Sequence, residues 1–178
     1  EPVSKIFFRY LMPAIWANMV TSIYILADTI IIGKGIGTLA MAALNIILPL
    51  FNIFFGVGLL FGVGGSVLMS IARGHGDTQL GKCYYTLSVI LNAATCLLLT
   101  VFLWCFMKPV VLFLGATDAT LPYIMDYAPY IICGLSAFAF SSHLQTFVRN
   151  DGAPTLAMIA VVSGGIFNVI LDIIFVFP

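Results

Sequence analysis

Charged side chains are nearly missing from this sequence. Seven basic and seven acidic residues make up 8% of its 178 positions, against roughly a quarter in a water-soluble domain. So few charges could not cover the surface of a soluble fold of this length, and an ordinary soluble domain is excluded. The charges also cancel, so the balance points to no acidic partner, and no nucleic acid is expected.

Paired cysteines are missing too. Cys83, Cys96, Cys105 and Cys133 form no CxxC and lie inside apolar runs, which reads as buried, inert thiols rather than a metal site or disulfides. There is no HExxH, no GxSxG and no Ser–His–Asp cluster within the apolar runs, so no enzyme and no cofactor are expected. The glycine-rich GVGLLFGVGGS at 56–66 neither follows a strand nor precedes GK[ST], which excludes a phosphate loop. Its Gly58 and Gly62, with Ser66 and Ser70, form a ridge of small residues four apart, suited to close helix packing. His75 and His143 have no metal-ligand partner at a useful spacing, and solvation near helix ends is expected for both. No cleavable leader is visible, and the opening Glu1 and apolar close at Pro178 suggest a piece of a longer chain.

What the sequence does have is apolar length, 62% hydrophobic residues in all. A lipid-spanning helix needs ~20 mostly apolar residues. Five segments qualify, at about 10–32, 38–71, 83–106, 121–147 and 154–177, so the expected fold is an all-α integral membrane protein. GKGIG, RGHGDTQLGK, ATDATLP and RNDGAP separate the spans. The second span, with Pro49 inside it, is too long for the hydrocarbon core and should tilt or bend. Pro13 should bend the first in the same way. Lys5, Arg9, Arg73, Lys82 and Arg149 fall on one side, against Lys34 and Lys108 on the other. That asymmetry favours a cytoplasmic N-terminus.

Asp28 in the first span and Asp172 in the fifth are the acids that sit well inside the apolar runs. A carboxylate at mid-helix costs at least ~2.5–3.5 kcal/mol on insertion scales, so it is normally functional or tightly paired. With odd-numbered spans running outward, the two lie at nearly one depth in the outer half of the membrane. Asn18, Thr21, Ser22, Asp28 and Thr29 form a polar stripe on the first span, and Gly164, Asn168 and Asp172 follow at i, i+4, i+8 on the fifth. Interhelical hydrogen bonding would explain the hydroxyls and the glycine. It does not explain the carboxylates, for which an amide would be cheaper.

The blocks YLMPAIWANMVTSIYILADTIIIGKGIGTLAMAALNIILP and VRNDGAPTLAMIAVVSGGIFNVILDIIF, above all their P-x14-D and N-x3-D spacings, resemble the multidrug and toxic compound extrusion (MATE) transporters. The likeness is greatest to their prokaryotic DinF-like branch. It implies twelve helices in two six-helix lobes, of which this chain would hold five helices of the N-terminal lobe, without the sixth helix and the C-terminal lobe. It also implies export of drug-like, often cationic, lipophilic compounds in exchange for H⁺ or Na⁺. Asp28, Asn168 and Asp172 would form the cation site, as a shared proton or a Na⁺ held by their oxygens. Pro13 and Pro49 would be hinges, and Asn18, Thr21, Tyr24 and Asn45 candidate cavity-lining residues. Expected partners are membrane lipid, drug-like small molecules and the other lobe, in the bacterial inner membrane. Two alternatives are a flippase for lipid-linked sugars of the same wider superfamily, which would want basic residues in mid-span, and a non-transporting scaffold.

Overall fold

The computed structural model describes residues 3–35 and 37–176. It contains five helices, α1 (Val3–Gly35), α2 (Thr38–Gly74), α3 (Thr78–Phe113), α4 (Leu121–Asn150) and α5 (Pro154–Val176). All five are long and apolar enough to cross a membrane. The chain is an all-α, multi-pass integral membrane protein.

Each expected span lies on a helix over the described residues, with Phe177 at the end of the fifth outside them, and α1 to α4 outrun their apolar windows. The backbone keeps its helical bonding past the point where the side chains turn polar. The breaks are therefore shorter than the polar stretches. RGHGDTQLGK yields one tight turn, with Gly76 at φ +83° and Asp77 capping α3 by accepting the Leu80 N–H at 2.8 Å. The apolar window of the third span closes at Phe106. Phe106 does leave helical geometry (φ −124°, ψ 19°), but α3 resumes as far as Phe113. Pro109 lacks the N–H that would bond the Cys105 carbonyl, which accounts for a break just ahead of it. Pro13 and Pro49 each lie inside a helix that continues past them.

The chain divides into two compact units. One joins the two ends of the chain, Glu1–Met41 with Gly152–Pro178, and so pairs α1 with α5; the other is the continuous stretch Ala42–Asp151, carrying α2, α3 and α4. The second unit is built around Ile47, Phe54, Leu103, Val111, Ile124 and Leu135, all buried. The small-residue ridge of α2 does what its spacing suggests. A Cβ on Gly62 would lie 3.1 Å from the His143 Cα, and one on Gly58 would run into Ser142 and the Ala139 carbonyl. Ser66 is buried and Ser70 accepts the Asn150 side-chain amide at 3.0 Å. Arg73 pairs with Asp151 at the same ends of α2 and α4.

Two expectations about single residues are corrected here. His143 is not solvated but fully buried, 0% exposed, because α4 extends past it to Asn150 and turns it inward. His75, in the turn after α2, is exposed as expected. Of the four cysteines only Cys96 is buried, while Cys83, Cys105 and Cys133 are free and on the outside of their helices. An apolar run in a membrane protein faces lipid as often as it faces core, so the run alone does not place them.

The Ser88 hydroxyl donates to the Phe61 carbonyl at 2.5 Å and meets His143 Nε2 at 2.9 Å. Since the hydroxyl proton is committed to Phe61, Nε2 must be the donor to Ser88, and Nδ1 is left as a buried acceptor without a partner among the described residues. Ser88→Ala is therefore expected to destabilise the protein by about 1–3 kcal/mol, since it strands the Nε2–H as well. His143→Leu removes both ring nitrogens, so adding it to Ser88→Ala should recover part of that loss. Thermal unfolding of the four proteins in detergent completes the double-mutant cycle, and strict additivity would show that the pair is not coupled.

Candidate functional site

Three contacts set the register of α1 against α5. The Tyr10 hydroxyl approaches Gly152, the Tyr24 ring lies on Gly165, and the Asp28 carboxylate interacts electrostatically with that of Asp172. The partners advance together along both elements, so the two helices run parallel. A Cβ on Gly165 would stand only 2.8 Å from Tyr24 Cδ1. Gly165 thus lets α1 and α5 approach closely, which brings the carboxylates together about two turns further along α5.

Asp28 and Asp172 are both half-buried. Asp172 Oδ2 is buried outright, with no hydrogen-bond partner among the described residues. Tyr24 is half-buried one turn before Asp28 and interacts with it electrostatically. The cluster is thus two acids and a phenol on one seam. It gathers three acidic groups in a place where lipid offers no counter-charge.

The rest of the expected site falls less neatly. Asn168 is exposed, and none of the described hydrogen bonds involves it. Gly164 is exposed and has nothing within reach of a Cβ. Residues four apart drift by about 40° around a helix, whereas residues seven apart drift by only about 20°. The face of α5 that meets α1 therefore runs through Gly165 and Asp172, and the i, i+4, i+8 row leans away from it. Asn18, Ser22 and Thr29 are exposed and bond back to the carbonyls of Ala14, Asn18 and Ile25, while half-buried Thr21 bonds to Ala17. Apart from Asp28, the polar stripe on α1 bonds within its own helix. Asn45 belongs to the other unit and is exposed on α2. A third acid, Asp126, also lies inside an expected span, exposed near the start of α4.

The residues present supply two carboxylates for a cation. Among the described residues, no three of His, Cys, Asp or Glu gather into a metal-binding group. Asp172 Oδ2 is a buried acceptor that no donor among the described residues satisfies.

The model of the MatE family matches residues 13–174. The chain belongs to the MatE family. Among curated relatives, the multidrug export protein MepA of Staphylococcus aureus strain MSSA476 is 27% identical over 177 residues, covering 99% of this chain and 39% of the relative. The chain thus spans about two fifths of the length of the curated relatives it matches. Among solved structures, a MATE protein in complex with MaD3S superposes with a TM-score of 0.86 at 25% identity, over 95% of this chain and 38% of that one. A MOP superfamily transporter from Pyrococcus furiosus, with a binding pocket described as of reverse polarity, superposes with a TM-score of 0.76 at 27% identity, over 95% and 37%. In this MatE chain, the family match begins at Pro13 and runs past Asp172, so it takes in both carboxylates and most of the two helices that carry them.

Proposed function

We propose that this chain supplies five helices of the N-terminal lobe of a cation-coupled exporter of lipophilic, often cationic, drug-like compounds. The observation that carries the proposal is Asp172 Oδ2, buried without a partner among the described residues and set against Asp28 on a parallel helix. Two adjacent carboxylates in low dielectric repel each other, and one cation between them relieves the repulsion. Either H⁺ or Na⁺ does this. Family membership and the multidrug export named for the MepA relatives support the substrate class.

The mechanism follows from charge. With the pair uncompensated, its negative charge favours a cationic, apolar substrate. Cation uptake from outside neutralises the pair and removes that attraction. Uptake would also change how α1 packs against α5, with Pro13 and Pro49 as the points where helices can flex. The two lobes of the whole transporter would then exchange access between the membrane faces. The N-terminus lies in the cytoplasm and the protein in the plasma membrane.

Proteoliposomes holding the full-length protein test this reading. A cationic dye should be exported when an inward H⁺ or Na⁺ gradient is imposed, and export should stop when that gradient is collapsed by an ionophore. The gradient that works identifies the coupling ion. Dye movement indifferent to both gradients would refute coupling.

A further inference from the structure

At one end of the α2–α3–α4 unit, a hollow of 290 Å³ opens between the three helices. Its apolar wall comes from Met69, Tyr85, Leu144 and Val148, and its rim carries Arg73 and Lys82. A second, shallow hollow adjoins it on the exposed face of the first turns of α3, beside Thr78, Gln79, Cys83 and Thr86, and Lys82 borders both. Arg73 is neutralised by Asp151, and the Asp77 carboxylate is engaged in capping α3. Lys82 is exposed and has no ion pair among the described residues.

We propose that these two hollows form a site for one anionic phospholipid. The apolar wall receives the upper part of an acyl chain, the Lys82 ammonium meets the phosphate, and the hydroxyl and amide groups of Thr78, Gln79 and Thr86 face the polar headgroup. Three features point to this occupant. The hollows lie where helices end, which is the depth of lipid headgroups. Apolar wall, single cation and polar shelf follow one another in the order of chain, phosphate and headgroup. Lys82 is the rim cation with no carboxylate partner among the described residues, which leaves its charge open to a lipid phosphate. The site lies wholly in the second unit and does not depend on the export reading.

Native mass spectrometry of the full-length protein in detergent micelles tests the proposal, with dioleoyl phosphatidylglycerol titrated against dioleoyl phosphatidylcholine. One phosphatidylglycerol should be retained about fivefold better than phosphatidylcholine, the advantage of one lysine near a headgroup. Lys82→Gln should erase that preference, Lys82→Arg should keep it, and Lys108→Gln should leave it unchanged. Val148→Trp fills the apolar wall and should weaken retention of the same lipid. Equal retention of the two lipids, or a preference that survives Lys82→Gln, overturns the proposal. The first of these is also the result expected if another part of the chain or a second copy covers the groove.

Discussion

Asp172→Asn is expected to abolish gradient-driven export by the full-length protein, and Asp28→Asn to do the same. The pair interacts across the α1–α5 seam, and an amide at either position leaves one carboxylate with no like charge to be relieved of. Coupling free energies between sites correspond to changes of roughly 5–150-fold, so the dependence of export on the imposed gradient should fall by about tenfold or more. Substrate binding in the absence of a gradient should fall less, because the remaining carboxylate still attracts a cationic substrate. Asn168→Ala is the informative contrast. Asn168 is exposed and takes part in none of the described hydrogen bonds, so its loss should reduce coupling less than either aspartate change. Coupling that survives in both aspartate variants would remove the basis of the export mechanism proposed above.

Gly58→Leu should be the most damaging single change to the fold. The α2 backbone at Gly58 lies against the Ala139 carbonyl and the Ser142 side chain. A carbonyl cannot rotate away as the end of a flexible side chain can. Leucine would force α2 and α4 apart and disturb the contacts further along α2, Gly62 against His143 and Gly65 against Ser88 and Phe147. Overpacking of this kind costs about 1–3 kcal/mol, occasionally more, and Gly58→Leu belongs at the upper end. Gly56 and Gly64, on the same helix, have nothing within 4 Å of the point where a Cβ would stand. Gly56→Ala and Gly64→Ala should be neutral or mildly stabilising through helix propensity. Thermal unfolding in detergent distinguishes the three, and a Gly58 variant as stable as the Gly64 variant would show that α2 and α4 tolerate separation there.

The helices are legible in the sequence because hydrocarbon thickness imposes a length that composition records directly. Their ends are less so, since α1 runs on to Gly35, α2 to Gly74 and, beyond its break at Phe106, α3 to Phe113 after the apolar windows have closed. For the site, Asp28 and Asp172 stand out because a carboxylate in an apolar run is costly wherever it lies. Which face of α5 meets α1 is not readable, because polar character marks Asn168 while the contact is set by Gly165, a residue with no side chain to signal it. The burial of His143 is hidden for a related reason. Its position near a helix end suggests water, but its burial depends on Ser88 and Phe61, which come from two other helices.

The pairing of α1 with α5 joins the two ends of the described chain, with a unit that is continuous in sequence lying between them along the chain. That order matters while the protein is being made. At about 5–20 residues per second of synthesis, Asp172 leaves the ribosome several seconds or more after Asp28. Through that interval α1 must reside in the membrane with its carboxyl group lacking the helix it is destined to meet, while α2, α3 and α4 have everything they need to assemble. Biogenesis would therefore proceed from the middle outward, with the seam that carries the two acids closing last.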